Sequence, residues 1–127
     1  MNIEKQVCTL EQAKKLKELG VAQETAVWYW SRYYVQDIDD FVESVNLGIM
    51  DLNGDYAAFT AAELGMMLGS GQNHIQRSVD GRYRINFEDG ASYWNEAEAR
   101  ASLLIYILQK EYVSVIEVNQ RLQSFNS

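Results

Sequence analysis

Four segments of the chain space their apolar residues three to four positions apart, as amphipathic α-helices do. The spacing predicts helices over residues 10–19, 61–68, 96–110 and 115–124. Each follows a residue whose side-chain oxygen can accept from the first-turn amides, with an acid or amide three positions later that can reach back. These capping pairs are Thr9 with Gln12, Thr60 with Glu63, Asn95 with Glu98, and Ser114 with Glu117. The third helix has the widest apolar arc and is expected to be central, with an inward stripe of Trp94, Ala97, Ala101, Leu104 and Leu108.

Between the helices the pattern becomes extended. Residues 26–35 are rich in aromatic and β-branched side chains and predict one strand, and residues 45–52 predict a second strand that ends at Asn53-Gly54. Asn-Gly is the preferred two-residue hairpin turn because both positions tolerate positive φ. A further hairpin is predicted at Asp80-Gly81, joining residues 74–79 to 82–87.

Helices at both ends of the chain with hairpins between them predict an α+β fold. We expect one domain over residues 1–127, in which a small antiparallel sheet packs with about four helices and residues 1–8 and 124–127 fray. The composition agrees with a folded globule, because 47% of the 127 residues are hydrophobic, 12% are aromatic and none is proline.

Several features bear on location. The longest apolar run, residues 103–108, is far shorter than the roughly 20 residues of a spanning helix, so no membrane segment is expected. The first residues lack the basic start and apolar run of a secretory signal. Cys8 is the only cysteine, which excludes an intramolecular disulfide. Together these features predict a cytoplasmic protein.

The net charge of −7 lies in one stretch. Residues 33–76 contain no lysine or arginine and hold seven acids, which account for the whole excess of 18 acidic over 11 basic residues in the chain. A field of one sign favours a cationic partner or a metal ion and disfavours nucleic acid and anionic membranes at that face. The acids are Asp37, Asp39, Asp40, Glu43, Asp51, Asp55 and Glu63.

The strand beside this stretch holds five aromatic residues in seven positions, from Trp28 to Tyr34. Strand alternation places Trp28, Trp30, Arg32 and Tyr34 on one face. This face could pack into the core, form a protein contact, or stack on a base or sugar. Direct nucleic-acid binding is disfavoured because stacking platforms usually lie in basic grooves and the neighbouring charge is acidic. The predicted binding surface therefore joins these four residues to Asp37, Asp39, Asp40 and Glu43.

Other candidate chemistry is weaker. Asp51, Asn53 and Asp55 alternate oxygen ligands as the start of a calcium loop does, but Tyr56 stands where the sharp turn needs glycine and Ala62 where a bidentate acid is needed. The run from Asp37 to Asp40 could chelate a divalent cation, although a solvated loop is more usual. A Cys8–His74 dyad would require a proximity that sequence does not show. No metal or cofactor is predicted.

Three stretches, residues 8–20, 58–68 and 95–108, resemble small uncharacterised proteins encoded by bacteriophages and prophages. The resemblance covers about a third of the chain and implies a phage or prophage product in the cytoplasm of a bacterial host. It carries over no catalytic residue.

The leading hypothesis is a non-enzymatic interaction protein, an adaptor or inhibitor that binds a basic host protein through its acidic, aromatic-flanked surface. One alternative is a hydrolase that uses carboxylates, with or without a metal. Another is a self-assembling structural protein that buries the aromatic row between subunits.

Overall fold

A computed structural model of the chain describes residues 3–48, 50–69, 75–85 and 92–126. These residues form four helices and two antiparallel three-stranded sheets, which confirms the predicted α+β class and adds a second sheet. Within the described ranges, no helix has the length and apolar character needed to cross a membrane.

The helices lie close to their predicted positions. They are α1 (Leu10–Glu18), α2 (Ala61–Leu68), α3 (Glu96–Gln109) and α4 (Val115–Asn126). Thr9 and Thr60 form complete capping boxes with Gln12 and Glu63. At α3 the Asn95 side chain accepts instead from the Ala97 N–H. Local sequence therefore determines where these helices begin, because the cap satisfies amides that the helix leaves without partners.

The strands form two separate sheets. The first contains β1 (Trp28–Val35), β2 (Asp40–Leu47) and β3 (Tyr56–Ala57) in the order β2-β1-β3. The second contains β4 (Ile75–Arg77), β5 (Tyr83–Ile85) and β6 (Ser92–Tyr93) in the order β4-β5-β6. The hairpin predicted at Asp80-Gly81 is confirmed for the residues that the structure describes, whereas His74 and residues 86–87 lie outside them.

The hairpin predicted at Asn53-Gly54 is wrong. β2 begins at Asp40 and pairs with β1 along its whole length, from Trp28 opposite Leu47 to Val35 opposite Asp40. The turn between them is the acidic segment, where Asp39 adopts φ 50. Aspartate tolerates this left-handed conformation because its short polar side chain can bond locally. The Asn53-Gly54 turn instead leads into β3, which pairs with β1 on its opposite side.

The core lies between α1, α2, α3, α4 and β3. Its largest fully buried side chain is Phe59, and α3 buries Ala97, Ala99, Ala101, Leu103, Leu104, Ile107 and Leu108. The central role of α3 is confirmed. Trp94, predicted to belong to its inward stripe, is 66% exposed, because it precedes the Asn95 cap and lies outside the helix. Val7 and Cys8 fall in the range expected to fray but are completely buried.

Candidate interaction surface

The predicted aromatic row divides into a base that belongs to the core and a part that projects. At the base, Trp28 and Trp30 are half-buried and pack with Val7, Val45 and Ala58. The Trp30 indole N–H donates to the Cys8 carbonyl over 3.0 Å. These two tryptophans therefore anchor β1 to the body of the protein, and the core-packing alternative describes them.

Beyond Trp30 the β1–β2 hairpin extends past the part of β1 that pairs with β3. β3 pairs with β1 only at Tyr29 and Trp30, whereas the β1–β2 pairing continues for five further residues of β1, Ser31 to Val35. We call residues Arg32–Glu43 the arm. None of its side chains is buried, and Val35 and Val42 are only half-buried. The arm contributes little to the core and presents most of its surface to solvent.

One face of the arm carries an ordered aromatic cluster. The rings of Tyr34 and Phe41 meet edge to face, with centroids 5.5 Å apart and an interplanar angle of 69°. The Arg32 guanidinium lies 4.3 Å from the Phe41 ring centroid. The Tyr34 hydroxyl donates to the Asp39 carboxylate, and this hydrogen bond is the main cause of a raised pKa of Tyr34. These contacts hold exposed rings in fixed positions, which lowers the entropic cost of binding.

The arm is acidic. Its four acids, Asp37, Asp39, Asp40 and Glu43, outnumber its one base, Arg32, which leaves a net charge of −3. All four are exposed. The ion pairs found among the described residues involve none of them, but join Lys15 to Glu18, Arg82 to Asp80, Arg100 to Glu96 and Arg121 to Glu117. The negative field of the arm is therefore not neutralised by such a pair.

The binding surface predicted from the sequence omitted two exposed residues of the arm. Phe41 and Ile38 lie on the arm and are 52% and 61% exposed, and Phe41 contacts Arg32 and Tyr34. Phe41 shares their face because it is directly opposite Tyr34 in the register. The available signal was the high strand propensity of Phe41 and Val42, because strict alternation of apolar and polar residues begins only at Ser44.

In the calcium-like loop, Asp51–Asp55, carboxylate oxygens accept hydrogen bonds from the backbone of the loop itself. Asp55 accepts from the Asp51 N–H over 2.8 Å, and Asp51 accepts from the Asn53 N–H over 3.0 Å. The Lys17 ammonium donates to the carbonyls of Leu52 and Asp55 over 2.7 and 3.2 Å. The Lys17 ammonium of the protein itself is thus the cation that binds the carbonyl oxygens of this loop. Nowhere in the described ranges do three or more histidine, cysteine or acidic residues form a group that could hold a metal.

Cys8 is unsuited to nucleophilic chemistry at neutral pH. Its side chain is fully buried, and this burial is the main reason why the pKa of its thiol rises to about 12. The reactive thiolate is therefore scarce. His74, the other half of the candidate dyad, lies outside the described residues.

Glu63 is a buried acid with a structural role. Its residue is 3% exposed, and one carboxylate oxygen accepts from the Thr60 N–H over 3.0 Å to cap α2. Desolvation by burial raises its pKa, and the hydrogen bonds from Thr60 and Val27 oppose the rise without cancelling it. The same carboxylate therefore stabilises the helix start and carries a cost when it ionises.

We expect Glu63→Gln to change how stability depends on pH. Because the folded pKa of Glu63 is raised, its contribution favours folding below the unfolded pKa, about 4.3, and is lost as the pH rises through the folded value. Glutamine keeps a cap acceptor without this titration. Urea unfolding from pH 4 to 8 should show wild type losing stability relative to the variant as the pH rises. A constant difference across this range would contradict the assignment, and Glu11→Gln on an exposed helix face is the matched control.

Comparison of the chain with protein-family models, with curated proteins and with solved structures found no match.

Proposed function

We propose that the protein is a non-enzymatic interaction module whose arm binds a basic surface of another protein. The observation that carries this proposal is the exposed cluster of Arg32, Tyr34 and Phe41 on a projecting hairpin of net charge −3. Rigid aromatic side chains supply large contact area at low entropic cost, and they are frequent among residues that dominate binding energy. The surrounding carboxylates favour a positively charged partner and speed its approach.

An adaptor or an inhibitor in the cytoplasm of a bacterial host fits this surface, and an origin in a phage or prophage belongs to the same proposal. The partner we expect has lysine or arginine side chains around an apolar or aromatic patch. The carboxylates would meet the cations, and the rings of Tyr34 and Phe41 would cover the apolar part.

The experiment compares the wild-type chain with Asp37→Asn, Asp39→Asn and Asp40→Asn combined. Asparagine suits position 39 because it tolerates positive φ as aspartate does, so the change removes charge without altering the turn. Both chains are immobilised, proteins captured from a bacterial lysate are identified by mass spectrometry, and the captured protein is purified for direct measurement of its dissociation constant. We expect the triple variant to bind about tenfold more weakly, since three exposed ion pairs contribute up to about 0.5 kcal/mol each.

The control removes the same charge elsewhere, through Glu11→Gln, Glu18→Gln and Glu111→Gln combined, at three exposed positions outside the arm. This variant should bind as wild type does. Binding to the purified partner should also weaken between 0.1 and 1 M salt, where the screening length falls from about 10 to about 3 Å. Equal binding by both triple variants, or binding insensitive to salt, would refute the acidic arm as the contact surface. Light scattering of the wild-type chain tests the self-assembly alternative.

A further inference from the structure

A cleft lies where the arm leaves the body of the protein. Its volume is about 230 Å³, and its walls include the aromatic side chains of Trp30 and Tyr56 together with Lys14, Arg32 and Glu43. Two cations and one carboxylate give this lining a net charge of +1, opposite in sign to the arm as a whole. A space of this size suits one side chain of a bound peptide better than a drug-sized ligand, whose sites span roughly 300–1,000 Å³.

The two cations of the cleft have no carboxylate partner among the described residues. Neither Lys14 nor Arg32 belongs to any ion pair found there. Both interact instead with aromatic rings: the Lys14 ammonium lies 5.9 Å from the Tyr56 ring centroid, and the Arg32 guanidinium is against Phe41. Such cations can accept a carboxylate without first breaking an existing ion pair.

The edge of β1 beside this cleft is open. The Ala58 N–H donates to the Trp28 carbonyl over 2.9 Å, so the backbone groups of Trp28 face β3. Because the direction alternates along a strand, the backbone groups of Arg32 and Tyr34 face the same side. The pairing with β3 ends at Trp30, and beyond it this side of β1 has no strand partner among the described residues. Unpaired backbone groups of this kind are a template for an added strand.

From these two observations we infer that the cleft and the open edge of β1 form one site, which binds an extended acidic peptide segment of the partner protein. The segment lies on the side of β1 that faces β3, beyond the Asn53-Gly54 turn that leads into β3, and pairs with Arg32 and Tyr34. Side chains directly opposite each other in a sheet point to the same face, so the peptide residue opposite Arg32 directs its side chain into the cleft. A glutamate or aspartate there meets Lys14 and Arg32, and its methylene groups contact Trp30 and Tyr56.

The position of Glu43 predicts that charge changes in the cleft have opposite effects on peptide affinity. Its carboxylate lines the same cleft and repels an acidic side chain, while Lys14 and Arg32 attract it. Neutralising Glu43 should therefore strengthen binding of an acidic peptide, whereas neutralising either cation should weaken it. A contact that depended only on apolar burial would respond to none of these changes.

The test uses an amidated seven-residue peptide of alternating valine and glutamate, titrated into the nitrogen-15-labelled full chain and followed by nuclear magnetic resonance. We expect the amide signals of Arg32 and Tyr34 to shift. Lys14→Gln and Arg32→Gln should each weaken binding about tenfold, as loss of one charge-assisted contact does. Glu43→Gln should tighten it. Lys15→Gln, next to Lys14 on α1, and Arg84→Gln on β5 are matched controls that should leave the affinity unchanged.

Two further probes test the chemistry and the backbone pairing. A peptide with lysine in place of glutamate should not enter the cleft, even where the acidic arm attracts it. An acidic peptide with proline at the central position should not enter the cleft either, because proline lacks the N–H that pairs with β1. The inference is overturned if the acidic peptide shifts neither Arg32 nor Tyr34, if the cation variants bind it as wild type does, or if free N-acetylglutamate binds as tightly as the peptide.

This inference rests on the proposed function, because it names the segment of the partner that enters the base of the arm. The inference and the proposed function can be refuted independently of each other. Lys14 lies outside the arm, so a chain that binds its basic partner through Asp37, Asp39 and Asp40 but ignores the acidic peptide would refute the inference alone.

Discussion

Replacing Phe59 with alanine is expected to lower the free energy of unfolding by about 3–5 kcal/mol. Phe59 is 0% exposed and is the largest fully buried side chain of the described core. Its backbone carbonyl accepts from the Cys8 N–H over 2.9 Å, and the next residue, Thr60, caps α2. The ring thus fills the junction between the N-terminal segment and the helices, and truncation would leave a cavity that this junction cannot readily close.

The matched control is Phe41→Ala, the same truncation at a ring that is 52% exposed on the arm. We expect it to cost less than about 2 kcal/mol, the contribution of one aromatic pair and one exposed cation–π contact, because little area is lost from the core. Urea unfolding of both variants, analysed with a common dependence on denaturant, measures the difference. Similar losses in the two variants would mean that the arm belongs to the cooperative core.

Shortening the hairpin is expected to abolish partner binding while the fold remains. The variant replaces the arm, Arg32–Glu43, with Asn-Gly, so that a two-residue turn connects Ser31 to Ser44. This junction is chosen because the backbone groups of the odd-numbered residues of β1 face β2, so the Ser31–Ser44 pair is hydrogen-bonded and suits a two-residue turn. The Asn46 side chain, which donates to Ser31 and Ser44, is kept.

The removed segment buries no side chain, so the shortened chain should keep the helical signal of its circular dichroism spectrum and unfold cooperatively. Its free energy of unfolding should lie within about 2 kcal/mol of the wild-type value. The lost contacts are exposed aromatic and cation–π pairs and ladder hydrogen bonds that exchange for hydrogen bonds with water. Loss of cooperative unfolding would contradict the division between core and arm.

Local sequence was sufficient for the helices. The α1 and α2 boundaries follow from Thr9 and Thr60, whose capping boxes involve residues only three positions away. The apolar period of α3 likewise identifies its buried face. Trp94 was misplaced because its side chain fits the apolar period, although the predicted Asn95 cap already puts it before the helix, where the helical period no longer sets the direction of a side chain.

Strand pairing was harder to predict because the residues that pair are distant in sequence. Asn53-Gly54 has the better turn chemistry, yet the first hairpin turns at Asp39, where a full eight-residue register with β1 becomes possible. The difference between Trp30 and Tyr34 was also beyond the sequence. Both lie on one face of β1, but only the part of the strand reached by β3 and the N-terminal segment is covered.

The most direct test of the arm as the recognition element is the dissociation constant of the purified captured partner for wild type and for the arm-shortened chain. We expect binding to the shortened chain to be undetectable although it is folded. Equal affinity of a folded, arm-shortened chain for the same partner would contradict the account.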